Sequence, residues 1–317
     1  MTGVVAFVVG PPEHGVVRHA RQLATAAGWP VVNRVEQVPR GAWVVLDVTD
    51  RLWGSTADVS GPAIASVLES LRGRGTRIAV AVHDVPFAGD GPVFDRRAAV
   101  YRSIVQRSDA VFVCSEVERG RLVDLVPVGP QVAVLPLPVP ERRRHSGRPA
   151  KAESVTVLGY LYPGKGHDEV LAAMAGLPAH IPLVCAGRAS DGHDDLMRSL
   201  VSGDRPVHVT GFLPDAELAQ LLQSATVPVA PNRVVSASAS LATWWAHGRR
   251  PLAPDIAYTR EIGTDETLGW YDADLAKALG RAFEDPASTW LADGVVAGPT
   301  LAEVVAARNA WLERWSA

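Results

Sequence analysis

Between Val155 and Met174 a short apolar run ends in Gly159, a Pro163–Gly164–Lys165–Gly166 turn follows, and a helical pattern opens at about His167 or Asp168. Free backbone N–H groups, the positive end of a helix dipole and one mobile ammonium together favour an anion. An organic phosphate suits that combination. The spacing Gly159-x-x-x-x-Gly164-Lys165-Gly166 falls one residue short of a nucleotide-triphosphatase P-loop, because Gly166 offers no hydroxyl to Mg²⁺. The motif also opens the second half of the chain, and no partner strand ending in a magnesium-binding aspartate is evident. Triphosphate hydrolysis is therefore disfavoured.

Other chemistries find little support. There is no Gly-x-Ser-x-Gly elbow, no His-Glu-x-x-His and no paired-cysteine metal spacing, so no metal site is expected. The first loop lacks Gly-x-Gly-x-x-Gly, which weakens a dinucleotide enzyme. Cys114 and Cys185 are the only cysteines, and each closes an apolar run, as small buried hydrophobes do in a reducing compartment. A net charge of −3 over 317 residues excludes nucleic-acid binding driven by bulk charge. No apolar run reaches the roughly 20 residues of a membrane helix. The N-terminus carries no cationic segment before its first apolar run, so no signal peptide is expected and the protein is placed in the cytoplasm.

These residues need elements to position them. Short apolar runs alternate with helical patterns throughout, the signature of parallel sheets covered on both faces. The spacing predicts strands at Val4–Val9, Trp43–Val48, Ile78–Val82, Ala110–Cys114 and Val132–Leu135. Helices are predicted at Val16–Ala27, Ala63–Leu71, Phe94–Arg107 and Glu116–Leu125. After a proline- and arginine-rich stretch the pattern restarts. Strands at Val155–Leu158, Leu183–Ala186, Val207–Thr210, Val227–Ala230 and Pro251–Ala253 alternate with helices at Asp168–Ala175, Asp194–Val201, Asp215–Gln223 and Leu241–Ala246. Asp215 reads as a helix N-cap. Later helices cover Leu275–Phe283 and Leu301–Trp315. The expected organisation is an α/β chain with two Rossmann-like, doubly wound domains, 1–140 and 154–298, facing an interdomain cleft. A linker spans 141–153, and a C-terminal helix, 299–317, packs back on the first domain. The Glu141–Arg142–Arg143–Arg144–His145 cluster reads first as solvated linker and second as a contact for anionic lipid or a phosphorylated acceptor.

Several motifs, in order, resemble the GT-B glycosyltransferases, above all retaining glycosyltransferase family four. GYLYPGKG matches that family's glycine strand end followed by lysine and glycine. HVTGFLPDAELAQLLQSATVPVAPN is similar to its glycine, acidic-helix and proline-ended strand block, and ASLATWWAHGRRPLAPDIAYTREI to the helix, glycine, strand and glutamate that close its donor site. GPPEHGVVRHARQLA and IAVAVHDVP resemble its first glycine loop and its His-Asp-x-Pro segment. The resemblance runs from about Val4 to Ile262. It implies a hexosyltransferase-type enzyme (EC 2.4) that moves a sugar from a UDP- or GDP-sugar to a hydroxyl of a sugar, glycan or lipid-linked acceptor. The transfer would be retaining and metal-independent, with no cofactor and no nucleic-acid partner. A GT-B-fold binding or scaffolding protein that lost the chemistry is the alternative.

The resemblance also implies roles by position. Lys165 would hold the donor diphosphate. His83, after a strand, would lie near the transferred sugar, with Asp84 orienting its ring. Gly15 would let backbone approach phosphate or acceptor. Leu213 would contact the base through its backbone, and Glu261 would face the donor. Two family glutamates fall at Val235 and Thr243, neither acidic; Thr243 could still offer a hydroxyl to a ribose. Between them, Ser236, Ser238, Ala239 and Ser240 lead into a helix and could present N–H groups and hydroxyls to the diphosphate. Tyr160 stands where the family has a diphosphate-binding arginine, so Arg188 or Arg233 would complete the clamp. Of nine tryptophans, most read as core or domain interface rather than sugar-stacking faces.

Overall fold

Strands buried on both faces read as near-continuous apolar runs, and here they do so. The computed structural model describes residues 3–127, 132–141 and 152–315. By contacts the chain divides into two units, Met1–Pro136 with Leu301–Ala317, and Leu137–Thr300.

The first unit runs β1 (Val4–Phe7), α1 (Gly15–Ala27), β2 (Val31–Val32), β3 (Trp43–Val48), α2 (Ala57–Gly73), β4 (Arg77–Val82), α3 (Phe94–Gln106), β5 (Ala110–Val113), α4 (Glu116–Leu125) and β6 (Val132–Val134). Its sheet has the order β2-β1-β3-β4-β5-β6, parallel at every pairing. The second unit runs β7 (Ala152–Leu158), α5 (His167–Ala173), β8 (Leu183–Ala186), α6 (Asp194–Val201), β9 (Val207–Val209), α7 (Asp215–Ser224), β10 (Ala225–Val229), α8 (Ala239–Ala246), β11 (Leu252–Pro254), α9 (Ala257–Ile262), β12 (Gly269–Tyr271) and α10 (Leu275–Glu284). Its sheet order is β12-β11-β10-β7-β8-β9, again parallel. The two parallel, helix-flanked sheets are the expected α/β class.

The last helix, α11 (Leu301–Arg314), belongs to the first unit. Trp311 and Leu312 join the cluster of Val4, Trp43 and Phe112, with the Trp311 and Phe112 ring centroids 5.2 Å apart. Each fully buried apolar side chain of this kind contributes about 1.5–3 kcal/mol. Arg77 Nη1 also donates to the Trp315 carbonyl at 2.7 Å.

The strand Trp43–Val48, the helix Glu116–Leu125, the strand Leu183–Ala186 and the helix Asp194–Val201 fall on their expected residues. Two expectations are corrected. Helix α2 begins at Ala57, not Ala63, with Pro62 inside it; the missing N–H removes one bond near the helix start without ending it. Pro214 caps α7, and Asp215 is its first residue, where the carboxylate still faces the positive helix end. The edge strands β2 and β12 and the short helix α9 had no signal strong enough to anticipate. Of the expected linker, only Glu141, Ala152 and Glu153 are described, and the last two already belong to β7; residues 142–145 of the arginine cluster lie outside the described residues.

Candidate functional site

In the second unit the chain winds outward from β7 through β8 to β9, then returns to the other side of β7 with β10, β11 and β12. The reversal leaves a crevice at the carboxyl ends of β7 and β10, the usual ligand position in open α/β sheets. Gly159 ends β7 there. The turn that follows has Lys165 N donating to the Tyr162 carbonyl at 3.1 Å, with Pro163 in second place and Gly164 at φ 84° in third, as a type II turn requires. Gly166, at φ 93°, caps α5. A Cβ at Gly166 would approach Pro231 Cβ to 2.9 Å, so glycine is also needed to pack the turn on the loop after β10. Asn232 in that loop donates from Nδ2 to the Tyr162 hydroxyl at 3.0 Å.

This framework aims Lys165 inward. Its side chain is buried and Nζ lies 3.5 Å from Ser240 Oγ. A Cβ at Gly159 would sit 3.0 Å from that hydroxyl and 3.5 Å from Nζ. Gly159, Lys165 and Ser240 thus share one spot. Burial lowers the Lys165 pKa to about 8, and among the described residues no carboxylate opposes the shift. Next to it His167 is buried with both ring nitrogens lacking a hydrogen-bond partner; burial first, then the Lys165 charge, lowers its pKa to about 4.

The serine run divides its work. Ser238 Oγ accepts from Leu241 N at 3.3 Å as the α8 cap, and Ser238 N donates to the Tyr258 hydroxyl at 2.7 Å. Its polar groups are therefore engaged, and it is the Ser240 hydroxyl at the α8 start that meets the lysine. Ser236 is buried. Thr243 Oγ1 donates to the Ala239 carbonyl at 2.8 Å. Leu213 is half-buried in the loop before α7, and Glu261 is exposed on α9. The two candidate arginines differ in surroundings. Arg233 pairs with Glu169 at 2.9 Å and donates to the Asp272 carbonyl, whereas Arg188 pairs with exposed Asp191 and lies over the Tyr160 ring, 5.1 Å from its centroid.

In the first unit, the corresponding reversal lies between β1 and β3. Gly15 opens α1, where an added Cβ would meet nothing within 4 Å. His14 caps the helix by accepting from Val16 N. His83 ends β4, buried, and its ring is turned inward. Nε2 lies 3.0 Å from Asp47 Oδ1 on β3 and Nδ1 3.7 Å from Cys114 Sγ. Asp47, not Asp84, therefore orients the ring. Asp47 also faces Arg308 Nη1 of α11 at 3.4 Å and His19 Nε2 of α1 at 3.8 Å. No sequence signal joins these residues, which come from four separate elements. Three ligand-type atoms of His19, Asp47 and His83 fall within 4.8 Å of one another, but Arg308 already supplies the cation facing that carboxylate.

Burial pulls the His83 pKa down, yet the Cys114 sulfur and the Asp47 carboxylate outweigh it and raise it well above 6.5. Burial raises the Cys114 thiol, which keeps it neutral at physiological pH, so Asp47 is the lasting charge. Asp47 itself is held below the usual carboxylate range: burial opposes this, and Arg308, the His83 hydrogen bond and His19 overcome it. Burial lowers His19 to about 4.

Asp84 is exposed and, among the described residues, the single non-glycine at positive φ, 55°. Its loop is clamped. Tyr101 donates to the His83 carbonyl at 2.5 Å, and Arg97 donates to the Asp84 carbonyl at 2.9 Å while gripping Asp50 through two bonds and Asp90 through a third. Thr49 Oγ1 donates to Asp84 Oδ2 at 3.3 Å.

The Asp47 network makes a stability prediction. Asp47→Asn is expected to cost about 3 kcal/mol or more, because it strands a buried arginine. The signs follow from linkage. The Asp47 contribution is present above its ordinary value and lost as pH falls through its lowered folded value. The His83 contribution is complete below about 6.5 and fades as pH rises through its raised folded value. Urea unfolding with an NMR titration of the His83 ring checks this; unchanged stability together with an unmoved ring pKa would contradict the network.

No curated protein matches the sequence. Among solved structures, HepE of Anabaena in complex with UDP and glucose is similar at TM-score 0.68 and 14% identity over 99% of both chains. Sucrose-phosphate synthase of Thermosynechococcus elongatus is similar at TM-score 0.66 and 18% identity, covering 99% of this chain and 96% of that one. A TarM variant of S. aureus in complex with Fondaparinux, alpha-GlcNAc-glycerol and UDP is similar at TM-score 0.60 and 12% identity, over 94% of this chain and 58% of its own. Together with the match of residues 152–285 to the family model Glycosyl transferases group 1, the two parallel six-stranded sheets identify this chain as a protein of the GT-B fold.

Proposed function

We propose that the protein transfers a sugar from a nucleotide-diphosphate donor to an acceptor hydroxyl. One observation carries the reading: a buried lysine ammonium with no opposing carboxylate among the described residues, set against a glycine strand end and a helix-capping serine run at the reversal of the second sheet. A buried cation of this kind needs an anion to complete it. The family match over this same unit and the UDP complexes of similar folds support a nucleotide diphosphate as that anion.

In this reading Lys165, Ser240 and the α8 start at Ala239 meet the diphosphate and stabilise the charge that develops as it leaves. Leu213, Thr243 and Glu261 line the remainder of the donor side. Roles for Gly15, His83 and Asp84 in the first unit are part of the same proposal. Retention at the anomeric carbon and independence from metal are part of the proposal, as are a hexose donor, a cytoplasmic setting and peripheral membrane contact; no helix among the described residues is long and apolar enough to cross a membrane. Binding without catalysis is the second reading. It is favoured by the inward ties of both His83 ring nitrogens and by the apolar Val235.

Thermal unfolding with UDP, GDP and UDP-glucose tests the proposal. A ligand at 100 times its Kd should add about 2.7 kcal/mol of stability and raise Tm measurably. Absence of any shift at millimolar nucleotide would remove the reading. Release of UDP from UDP-glucose, with NMR of the product anomer, then separates transfer from binding and retention from inversion.

A further inference from the structure

We propose that His19, Asp47 and His83 hold a divalent transition-metal ion, zinc above all, inside the first unit. The site uses no residue of the second unit and so does not depend on the donor reading.

Three elements bring the ligands together. His19 comes from α1, Asp47 from β3 and His83 from just past β4, too far apart in the chain to leave a spacing motif. One nitrogen or oxygen of each falls within 4.8 Å of the other two. His83 Nε2 lies 3.0 Å from Asp47 Oδ1, and His19 Nε2 lies 3.8 Å from the same oxygen. The two imidazoles stand edge to face, at 87° with ring centroids 5.7 Å apart. Both nitrogens thus converge on one carboxylate oxygen.

The 3.8 Å gap between His19 Nε2 and Asp47 Oδ1 points to an ion. It is too long for a hydrogen bond, and among the described residues the His19 ring makes none. It is also too short for a bridging water, which at ordinary hydrogen-bond lengths holds its partners about 4.5 Å apart. Zinc binds imidazole nitrogen and carboxylate oxygen at about 2.0–2.2 Å, and tetrahedral angles then set two ligands about 3.3–3.6 Å apart. The observed 3.0 and 3.8 Å bracket that spacing.

The surroundings suit a metal. Arg308 Nη1 meets Asp47 Oδ2 at 3.4 Å, so it fixes the carboxylate from the side away from the imidazoles. Cys114 Sγ, 3.7 Å from His83 Nδ1, fixes that ring from behind. Metal-bound histidines and carboxylates are commonly held by such outer partners. The pocket is nearly dry, with side-chain exposures of 14% for His19, 3% for Asp47 and 8% for His83. Two imidazoles and one carboxylate favour zinc over magnesium or calcium, which take oxygen ligands throughout. The ion takes the place of the proton that His83 Nε2 shares with Asp47, and it ties α1 to the ends of β3 and β4.

Zinc titration of the chelator-treated full chain by calorimetry tests the site. The parent should bind one zinc per chain, release about one proton in doing so, and gain Tm by mass action. His19→Gln should weaken zinc by about 100-fold or more, beyond the effect of a lost outer partner, whereas Cys114→Ala should weaken it only about tenfold. His180→Gln, at the exposed His180–Glu153 pair, should change nothing. The His19 ring makes no hydrogen bond to lose, and an unchanged metal-free Tm verifies the fold of His19→Gln. NMR of the parent needs no variant: zinc should shift the His19 and His83 ring signals and no other histidine's. The site is refuted if the parent binds no zinc at micromolar metal, if a folded His19→Gln binds zinc like the parent, or if the ring shifts fall on other histidines.

Discussion

A Lys165→Ala protein is expected to lose about 100-fold or more of its sugar-transfer turnover, the scale of removing one donor to developing negative charge. The side chain is buried against Gly159 and Ser240, and burial alone sets its pKa at about 8. Free ammonium therefore diminishes as pH rises through about 8, and diphosphate binding, which favours the charged form, should take up a proton near that pH. Calorimetry in buffers of different ionisation enthalpy reads this uptake, and Lys165→Ala should abolish it. The stability sign is opposite to that of a paired lysine. Between about 8 and 10.5 the unfolded chain binds the extra proton, so this group adds stability as pH rises across that window. Below it the buried charge is a cost. Lys165→Met should accordingly keep or raise Tm while losing turnover, a trade that a merely structural lysine would not show. Undiminished turnover in Lys165→Ala would remove the residue from the site.

The second large effect concerns Arg249, which is fully buried. Its guanidinium donates to the carbonyls of Leu222, Gln223, Ala225, Thr226 and Thr289, and to Thr289 Oγ1 at 2.9 Å. Cζ also lies 4.1 Å from the Trp290 ring centroid. One side chain thus closes the end of α7, the start of β10 and the 286–289 turn. Burial lowers its pKa to about 9, which still leaves it charged at neutral pH, and the ring of carbonyls compensates the charge. Arg249→Met should cost about 3–5 kcal/mol, since several carbonyls lose their donor at once and each stranded buried group costs about 1–3 kcal/mol. Set against a total of about 5–15 kcal/mol, that loss should unfold much of the second unit at modest urea. Arg249→Lys should rescue little, because an ammonium has no planar fork to span these acceptors. Circular dichroism during urea titration measures it; an Arg249→Met midpoint equal to the parent's would show the network to be dispensable.

The α/β class and the positions of most central strands were legible in the sequence, because a strand buried on both faces reads as a near-continuous apolar run. The sequence also marked the glycines and lysine of the 159–166 turn, since a tight turn leaves few residue types to choose from. Edge strands were different. Val31–Val32 and Gly269–Tyr271 are short and paired on one side only, so little local pattern sets them apart. Helix α2 hid its first turn behind Pro62, a residue whose cost depends on what surrounds it.

Side-chain partnerships were decided only in three dimensions. Asp47, next to last in its strand, gives no local sign that it will meet His83 from the end of the next strand and Arg308 from the last helix. Asp84 seemed the natural partner of His83 because it is its neighbour in sequence. Successive residues of an extended chain point to opposite sides, and here the left-handed turn at Asp84 sends that carboxylate to the surface. Likewise Tyr160 read as the loss of an arginine, until the pairing of β7 with β8 laid Arg188 across its ring. Local sequence sets backbone conformation through short-range sterics and burial pattern. Which charges meet is set by sheet order and register, and those belong to the whole chain.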